Sequence, residues 1–269
     1  MEIVKGSIAI MGSGETSPAL VSVHRKFVEM LNNQVNAFLI DTPFGFQENA
    51  DVLVDKLQLF FKKSVQIEIK LASLRNTNNI DSVEYFEMLE QLKSSNFIFS
   101  GPGSPSYASK TWLHSEIPNV LTNHLKDGKN AVFSSAAAST LGEKTIPVYE
   151  IYKVGMTPFW EEGLNTLELY GLSCTVVPHF NNKEGGNHDT SCSYIGKNRL
   201  NMLIDEEYTN ILGIDEHTAL VINGEKEIFS VDGIGSVTVK TSNGQKVFEA
   251  VSYTHLRAHE TRHDVVCRL

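Results

Sequence analysis

The chain has 269 residues, 41% hydrophobic and 20% charged, enough to bury a sizeable core and ordinary for a soluble globular protein. Its formal charge of −9 argues against nucleic acid or an anionic membrane as the main partner. No apolar run approaches the roughly 20 residues that span a bilayer. The N-terminus lacks the basic start and long apolar stretch of a signal peptide, and the three cysteines (Cys174, Cys192, Cys267) include no CxxC pair; the expected compartment is therefore the cytoplasm.

Ser7 to Met11 reads as a strand, followed by the loop Gly12-Ser13-Gly14-Glu15-Thr16-Ser17. Pro18 suits a first helical turn, with Leu20, Val23, Phe27, Met30 and Leu31 at helical spacing. Asn36 to Ile40 is the second strand. Val52, Leu53, Leu57, Phe60 and Phe61 mark a second helix, and Val65 to Leu71 a third strand. Val83, Phe86, Leu89 and Leu92 define a third helix. Phe97 to Phe99 is a short apolar strand that runs into Gly101-Pro102-Gly103-Ser104-Pro105, then a helical region spans Trp112 to Leu125. Ala131 to Phe133 is the fifth strand. Such alternation predicts an α/β fold, a mostly parallel sheet with helices on both faces. Ligands bind such sheets beyond the carboxyl ends of the strands, where Gly12–Glu15, Asp41, Gly101–Gly103 and Ser135 all fall.

The second half is richer in β signals. Cys174 to Val177 is a strand ending at Pro178-His179, and Ile211 to Ile214 and Thr218 to Ile222 flank Asp215-Glu216-His217. Asn223-Gly224 and Asn243-Gly244 are hairpin signals. His24, His114 and His124 lie within helical patterns and are expected at the surface. With no linker, repeat or low-complexity stretch, one domain over residues 1–250 is expected.

Residues 251–269 differ in composition. They contain His259-Glu260-Thr261-Arg262-His263, a literal HExxH, with His255 one turn earlier. A catalytic zinc helix needs burial against a core and a further ligand; this stretch has a weak apolar stripe and stops at the chain end. Ser252 to Thr261 resembles translated sequencing-adapter read-through, so the tail is read as non-native and carries no function here.

The segment Ala131-Val132-Phe133-Ser134-Ser135-Ala136-Ala137-Ala138-Ser139 runs a strand into small residues and a helical stretch. Such a turn makes a hydroxyl protrude beside a backbone N–H that can hold an oxyanion. The plainer reading is a Ser-capped helix. A serine needs a base and a carboxylate to orient it. His179 is the best-placed base, at a strand's carboxyl end, though it could equally be a structural imidazole. His188, in a Gly-rich loop, is a weaker rival. Glu216 could orient the base, or could belong to the polar turn of a hairpin.

The order of the serine elbow, Pro178-His179-Phe180 and Gly213-Ile214-Asp215-Glu216-His217-Thr218-Ala219-Leu220 resembles the cyanophycinase and aspartyl-dipeptidase family of serine peptidases. That family has a class I glutamine-amidotransferase-like (flavodoxin-like) fold. Its elbow, G-x-S-A-G-A, is matched at Ser135, Ala136 and Ala138. The resemblance implies a triad of Ser135, His179 and Glu216, an oxyanion hole from the N–H groups of Gly103 and Ala136, and no cofactor or metal. A small-molecule or peptide substrate is expected, without carrying over the peptide substrates of that family's named enzymes; oligomeric state stays open, a homodimer included.

Phe133 and Ala137 replace two elbow glycines of the pattern. The stretch Thr145 to Lys153 and an insertion, Lys183 to Ser193, are expected to shape a distinct substrate pocket. Its candidates are Glu15, Ser104, Tyr149, Glu150, His188, Asp189 and Arg199. Two other readings compete: a catalytically inactive small-molecule-binding protein on the same scaffold, and a metal-dependent hydrolase using His179, His188, Asp189 and Cys192.

Overall fold

The computed structural model describes residues 4–31 and 34–250; the HExxH-bearing tail, residues 251–269, lies outside the described residues. The first-half alternation folds as expected. Strands β1 (Ser7–Met11), β2 (Ala37–Ile40), β3 (Ile69–Ala72), β4 (Phe97–Ser100) and β5 (Asn130–Ser134) form a parallel array in the order β1-β5-β4-β2-β3. β1, β2, β4 and β5 are buried along their whole length, which is why they read as unbroken apolar runs rather than alternating ones. β3 is an edge strand and keeps Lys70 in solvent.

Helices cover both faces. α1 (Pro18–Glu29) and α2 (Ala50–Phe60) pack Leu20, Val23, Phe27 and Val54 onto one face. α3 (Val83–Ser94), α4 (Pro105–Leu113) and α5 (Ile117–Lys126) pack Leu89, Trp112 and Leu121 onto the other. Each fully buried large side chain contributes on the order of 2 kcal/mol. Two predicted boundaries move. The helical region expected over 112–125 is two helices, because Pro118 can enter only a first turn. The strand expected from Val65 starts at Ile69, because α2 runs on through a π turn at Phe61–Val65. Gln66 closes that turn in the left-handed region, and the Ile67 N–H donates to the Phe61 carbonyl.

His24 and His124, expected at the surface, are buried. Each occupies the inward stripe of an amphipathic helix and gives Nε2 to a backbone carbonyl, Glu15 and Asn130 respectively. Burial lowers both imidazoles to about 4, the backbone bonds only partly offsetting it.

The remaining elements are β6 (Lys144–Thr145), β7 (Glu161–Glu162), β8 (Thr175–Val177), α7 (Lys197–Glu206), β9 (Ile211–Ile214), β10 (Thr218–Asn223), β11 (Ile228–Gly233), β12 (Ser236–Thr241) and β13 (Gly244–Glu249). A four-residue helix α6 (Ala136–Ser139) follows β5. β10 adds antiparallel to β1 and β11 to β10, completing a seven-stranded sheet. A second sheet has the order β13-β12-β9-β8. Both predicted hairpins form in shifted register: Asn223 pairs with Ile228, and Thr241 with Gly244.

β9 and β10 are consecutive in sequence yet lie in different sheets. Asp215-Glu216-His217 is therefore no hairpin turn; it is the crossing from one sheet to the other. Gly12 packs against it, since a Cβ there would lie 2.1 Å from the Asp215 carbonyl oxygen. The carboxyl ends of β1, β5 and β8 thus meet the crossing. Among the described residues no helix is long and apolar enough to cross a membrane.

Candidate active site

β5 ends at Ser134 and α6 begins at Ala136, so Ser135 must reverse the chain in a single residue. It does so at φ 51° and ψ −115°, a region costly for any residue with a Cβ. Its N–H donates to the Met11 carbonyl at 3.0 Å, and its carbonyl accepts from the Ser139 N–H at 3.0 Å. Those bonds hold the turn and leave the hydroxyl facing outward. Ser134 points the other way: it is fully buried and donates to Glu15 Oε2 at 2.9 Å. Phe133 lies in the core against Trp112, ring centroids 6.4 Å apart, and Ala137 is buried in the same cluster. The two elbow substitutions therefore stay out of the space in front of Ser135.

His179 follows β8, where Pro178 ends the strand. Its φ of 48° is stabilised by its N–H donating to the Gly12 carbonyl at 3.2 Å. Ser135 Oγ lies 2.8 Å from His179 Nε2, and His179 Nδ1 lies 2.8 Å from Glu216 Oε1. The carboxylate acceptor places the imidazole proton on Nδ1 and leaves the Nε2 lone pair for the serine hydroxyl. Glu216 Oε1 also accepts from Asn182 Nδ2 at 2.8 Å, and the Glu216 N–H donates to Asn181 Oδ1 at 2.8 Å. The His179 hydrogen bond holds the Glu216 carboxyl below its ordinary value against the opposing cost of burial, with Asn182 adding to it.

A cavity of about 470 Å³ opens on this array. Ser135, Ala136, His179 and Gly103 line it. Ala136 is the first residue of α6, so its N–H has no partner within the helix. Gly103 holds φ 147°, and a Cβ there would fall 1.9 Å from the Pro43 carbonyl oxygen; only glycine fits.

The expected pocket residues divide. Tyr149 lines the cavity, and His188 stacks on Tyr152, a lining residue, at 6.1 Å and 20°. The others are engaged elsewhere. Glu15 holds Ser134, and Ser104 caps α4 by accepting from the Tyr107 N–H. Glu150 Oε1 accepts from Ser106 at 2.7 Å. Asp189 caps α7 through the Lys197 N–H, and Arg199 reaches back to the Ile195 carbonyl just before α7. Asp189 Oδ1 accepts from the Ser191 hydroxyl, to which the buried Cys192 thiol also donates, and no group of three His, Cys, Asp or Glu side chains that could hold a metal assembles among the described residues.

Three contributors escaped the sequence reading, Asn181, Asn182 and Tyr194, whereas Tyr152 falls in the stretch Thr145 to Lys153 expected at the pocket. Cys192, Ser193 and Tyr194 form a left-handed turn, with φ of 54°, 59° and 67°. It is pinned to the histidine segment by Ser193 Oγ donating to the Pro178 carbonyl and the Cys192 N–H to the Phe180 carbonyl. The Tyr194 ring rests 5.1 Å from the His179 ring. The only local signal was Asn181-Asn182, a polar pair directly after His179-Phe180.

An α/β sheet with serine, imidazole and carboxylate aligned at its carboxyl edge belongs among the hydrolases. The chain is a member of peptidase family S51, whose sequence pattern matches residues 8–229, and membership implies serine peptidase activity. Two solved structures share the fold. A peptidase from an acI-B1 Actinobacterium superposes with a TM-score of 0.76 at 21% identity, covering 95% of this chain and 98% of that one. A putative peptidase E protein from Listeria monocytogenes EGD-e gives 0.56 at 15% identity, covering 86% and 99%. A search of the curated proteins found no match.

Proposed function

We propose that the protein cleaves an amide or peptide bond through an acyl-enzyme, with Ser135 as nucleophile, His179 as general base and acid, and Glu216 orienting the imidazole. The observation that carries this reading is the unbroken chain from Ser135 Oγ to His179 Nε2 and from Nδ1 to Glu216 Oε1, 2.8 Å at each link.

In the first step Nε2 takes the hydroxyl proton while Oγ adds to the substrate carbonyl carbon. The carbonyl oxygen becomes an oxyanion, stabilised by the N–H groups of Gly103 and Ala136; one such donor is worth about 10²–10³ in rate. Nε2–H then protonates the leaving nitrogen, the C–N bond breaks, and the acyl group remains on Oγ as an ester. Water gives a proton to Nε2 as it attacks that ester. The C–O bond breaks and Oγ recovers the proton, which returns the enzyme to its starting state.

Asn181 and Asn182 are positioning residues: one holds the Glu216 backbone, the other its carboxylate. A fluorophosphonate probe is expected to label the protein at Ser135 and to leave Ser135→Ala unlabelled. Labelling of equal rate in Ser135→Ala would overturn the assignment.

A further inference from the structure

The cavity in front of Ser135 is walled by rings. Tyr149, Tyr152 and Tyr194 line it, with Val148, Pro102 and Pro105. Tyr194 donates its hydroxyl to Glu184 Oε2 at 3.2 Å, which ties off the polar tip and leaves the ring as wall. Tyr152 and Tyr194 lie 5.9 Å apart, tilted by 42°. Burial holds the phenols of Tyr149 and Tyr194 protonated, so these walls carry no charge near neutrality.

Charge at the cavity has no net sign. Lys153 and Glu184 both line it. The Lys153 ammonium already sits 4.7 Å over the Tyr152 ring, and Glu184 already accepts from Tyr194. The described arginines are used elsewhere: Arg25 on the Ser64 carbonyl, Arg75 on Asp41 and Asp51, Arg199 on the Ile195 carbonyl. Among the described residues no guanidinium fork is therefore at hand to clamp a carboxylate side chain. A lone, occupied carboxylate is likewise a poor trap for a cation opposite an ammonium.

We infer that the substrate carries a large neutral side chain, aromatic or branched aliphatic, next to the scissile bond, seated against Tyr149, Tyr152 and Tyr194. This rests on the cavity being the substrate site of the proposed hydrolase. A volume of about 470 Å³ accommodates such a side chain with the flanking peptide unit.

The test measures binding rather than turnover, so that it stands apart from the nucleophile assignment. Purified Ser135→Ala protein is titrated calorimetrically with N-acetyl amides of Phe, Ala, Asp and Arg. The Phe amide is expected to bind about tenfold or more tighter than the other three, the discrimination one apolar side chain supports. Tyr149→Ala in the same background is expected to remove most of that preference, and Tyr149→Phe to keep it. Tightest binding of the Asp or Arg amide, affinities equal within threefold, no binding of any amide, or a Phe preference untouched by Tyr149→Ala would each overturn the inference. Failure of the hydrolase reading would show separately, as fluorophosphonate labelling of wild-type protein that does not depend on Ser135.

Discussion

Replacing Glu216 by Gln keeps the size of the side chain and removes its charge. In the proposed acylation transition state the imidazole becomes a cation next to that carboxylate. Two unit charges about 4 Å apart attract by about 4 kcal/mol at an effective dielectric of 20. The Glu216 side chain is 24% exposed and that of His179 15%, so water at the rim reduces this to about 2–3 kcal/mol. Converted to rate, the loss is about 30- to 150-fold. The bond from Asn182 limits the effect, because its NH2 donates to the same Oε1 that faces Nδ1 and so favours the oxygen of a glutamine amide at that position. The assay is the second-order rate constant for fluorophosphonate labelling of Ser135, which needs no knowledge of the substrate. Wild type, Glu216→Gln and Asn182→Ala are compared, with Asn182→Ala expected in between. A fall of less than about fivefold in Glu216→Gln, with the fold intact by circular dichroism, would refute the coupling of this carboxylate to the nucleophile.

Further outcomes are expected. Ser134→Ala should label at close to the wild-type rate, since its hydroxyl serves Glu15 on the buried side; melting should register the lost hydrogen bond at about 1 kcal/mol. Gly103→Ala should slow labelling at least tenfold and lower Tm, because its Cβ would collide with the Pro43 carbonyl. Stability should fall as pH drops from 6.5 towards 4. In that window the unfolded chain protonates His24 and His124, while the folded protein holds both neutral down to about 4. The unfolded state then binds more protons, so the sign is destabilising on acidification, by roughly 3 kcal/mol for each histidine. Urea unfolding at pH 7, 6 and 5 measures it, and a His24→Gln/His124→Gln variant should flatten the slope.

Most of the parallel sheet was legible from the chain. β1, β4 and the helices α1 and α3 are cooperative local objects whose apolar spacing is written in consecutive residues. The buried histidines were legible too, and were misjudged through residue type. Leu20, Val23, His24 and Phe27 share one helical stripe, as do Ile117, Val120, His124 and Leu125, and position on the stripe outweighs polarity when a backbone carbonyl can satisfy the ring.

The identity of the elbow serine was readable because a one-residue strand-to-helix reversal leaves a local mark in small side chains. Partners brought by distant segments leave weaker marks. Asp215-Glu216-His217 reads equally as a hairpin turn, and only the assignment of β9 and β10 to separate sheets turns it into a crossing that carries Glu216 to His179. Asn182 and Tyr194 became site residues through contacts made by a loop in left-handed conformation, which no spacing rule encodes. Likewise Arg199 and Asp189 looked like pocket residues by proximity in sequence, and the start of α7 engages both elsewhere. What the amino-acid order determined by itself was therefore the periodic scaffold and the turn at Ser135, because both arise from interactions within a few residues. Which side chains meet that serine, and what surrounds them, was decided by long-range packing of two sheets, whose approach depends on contacts between segments far apart in the chain.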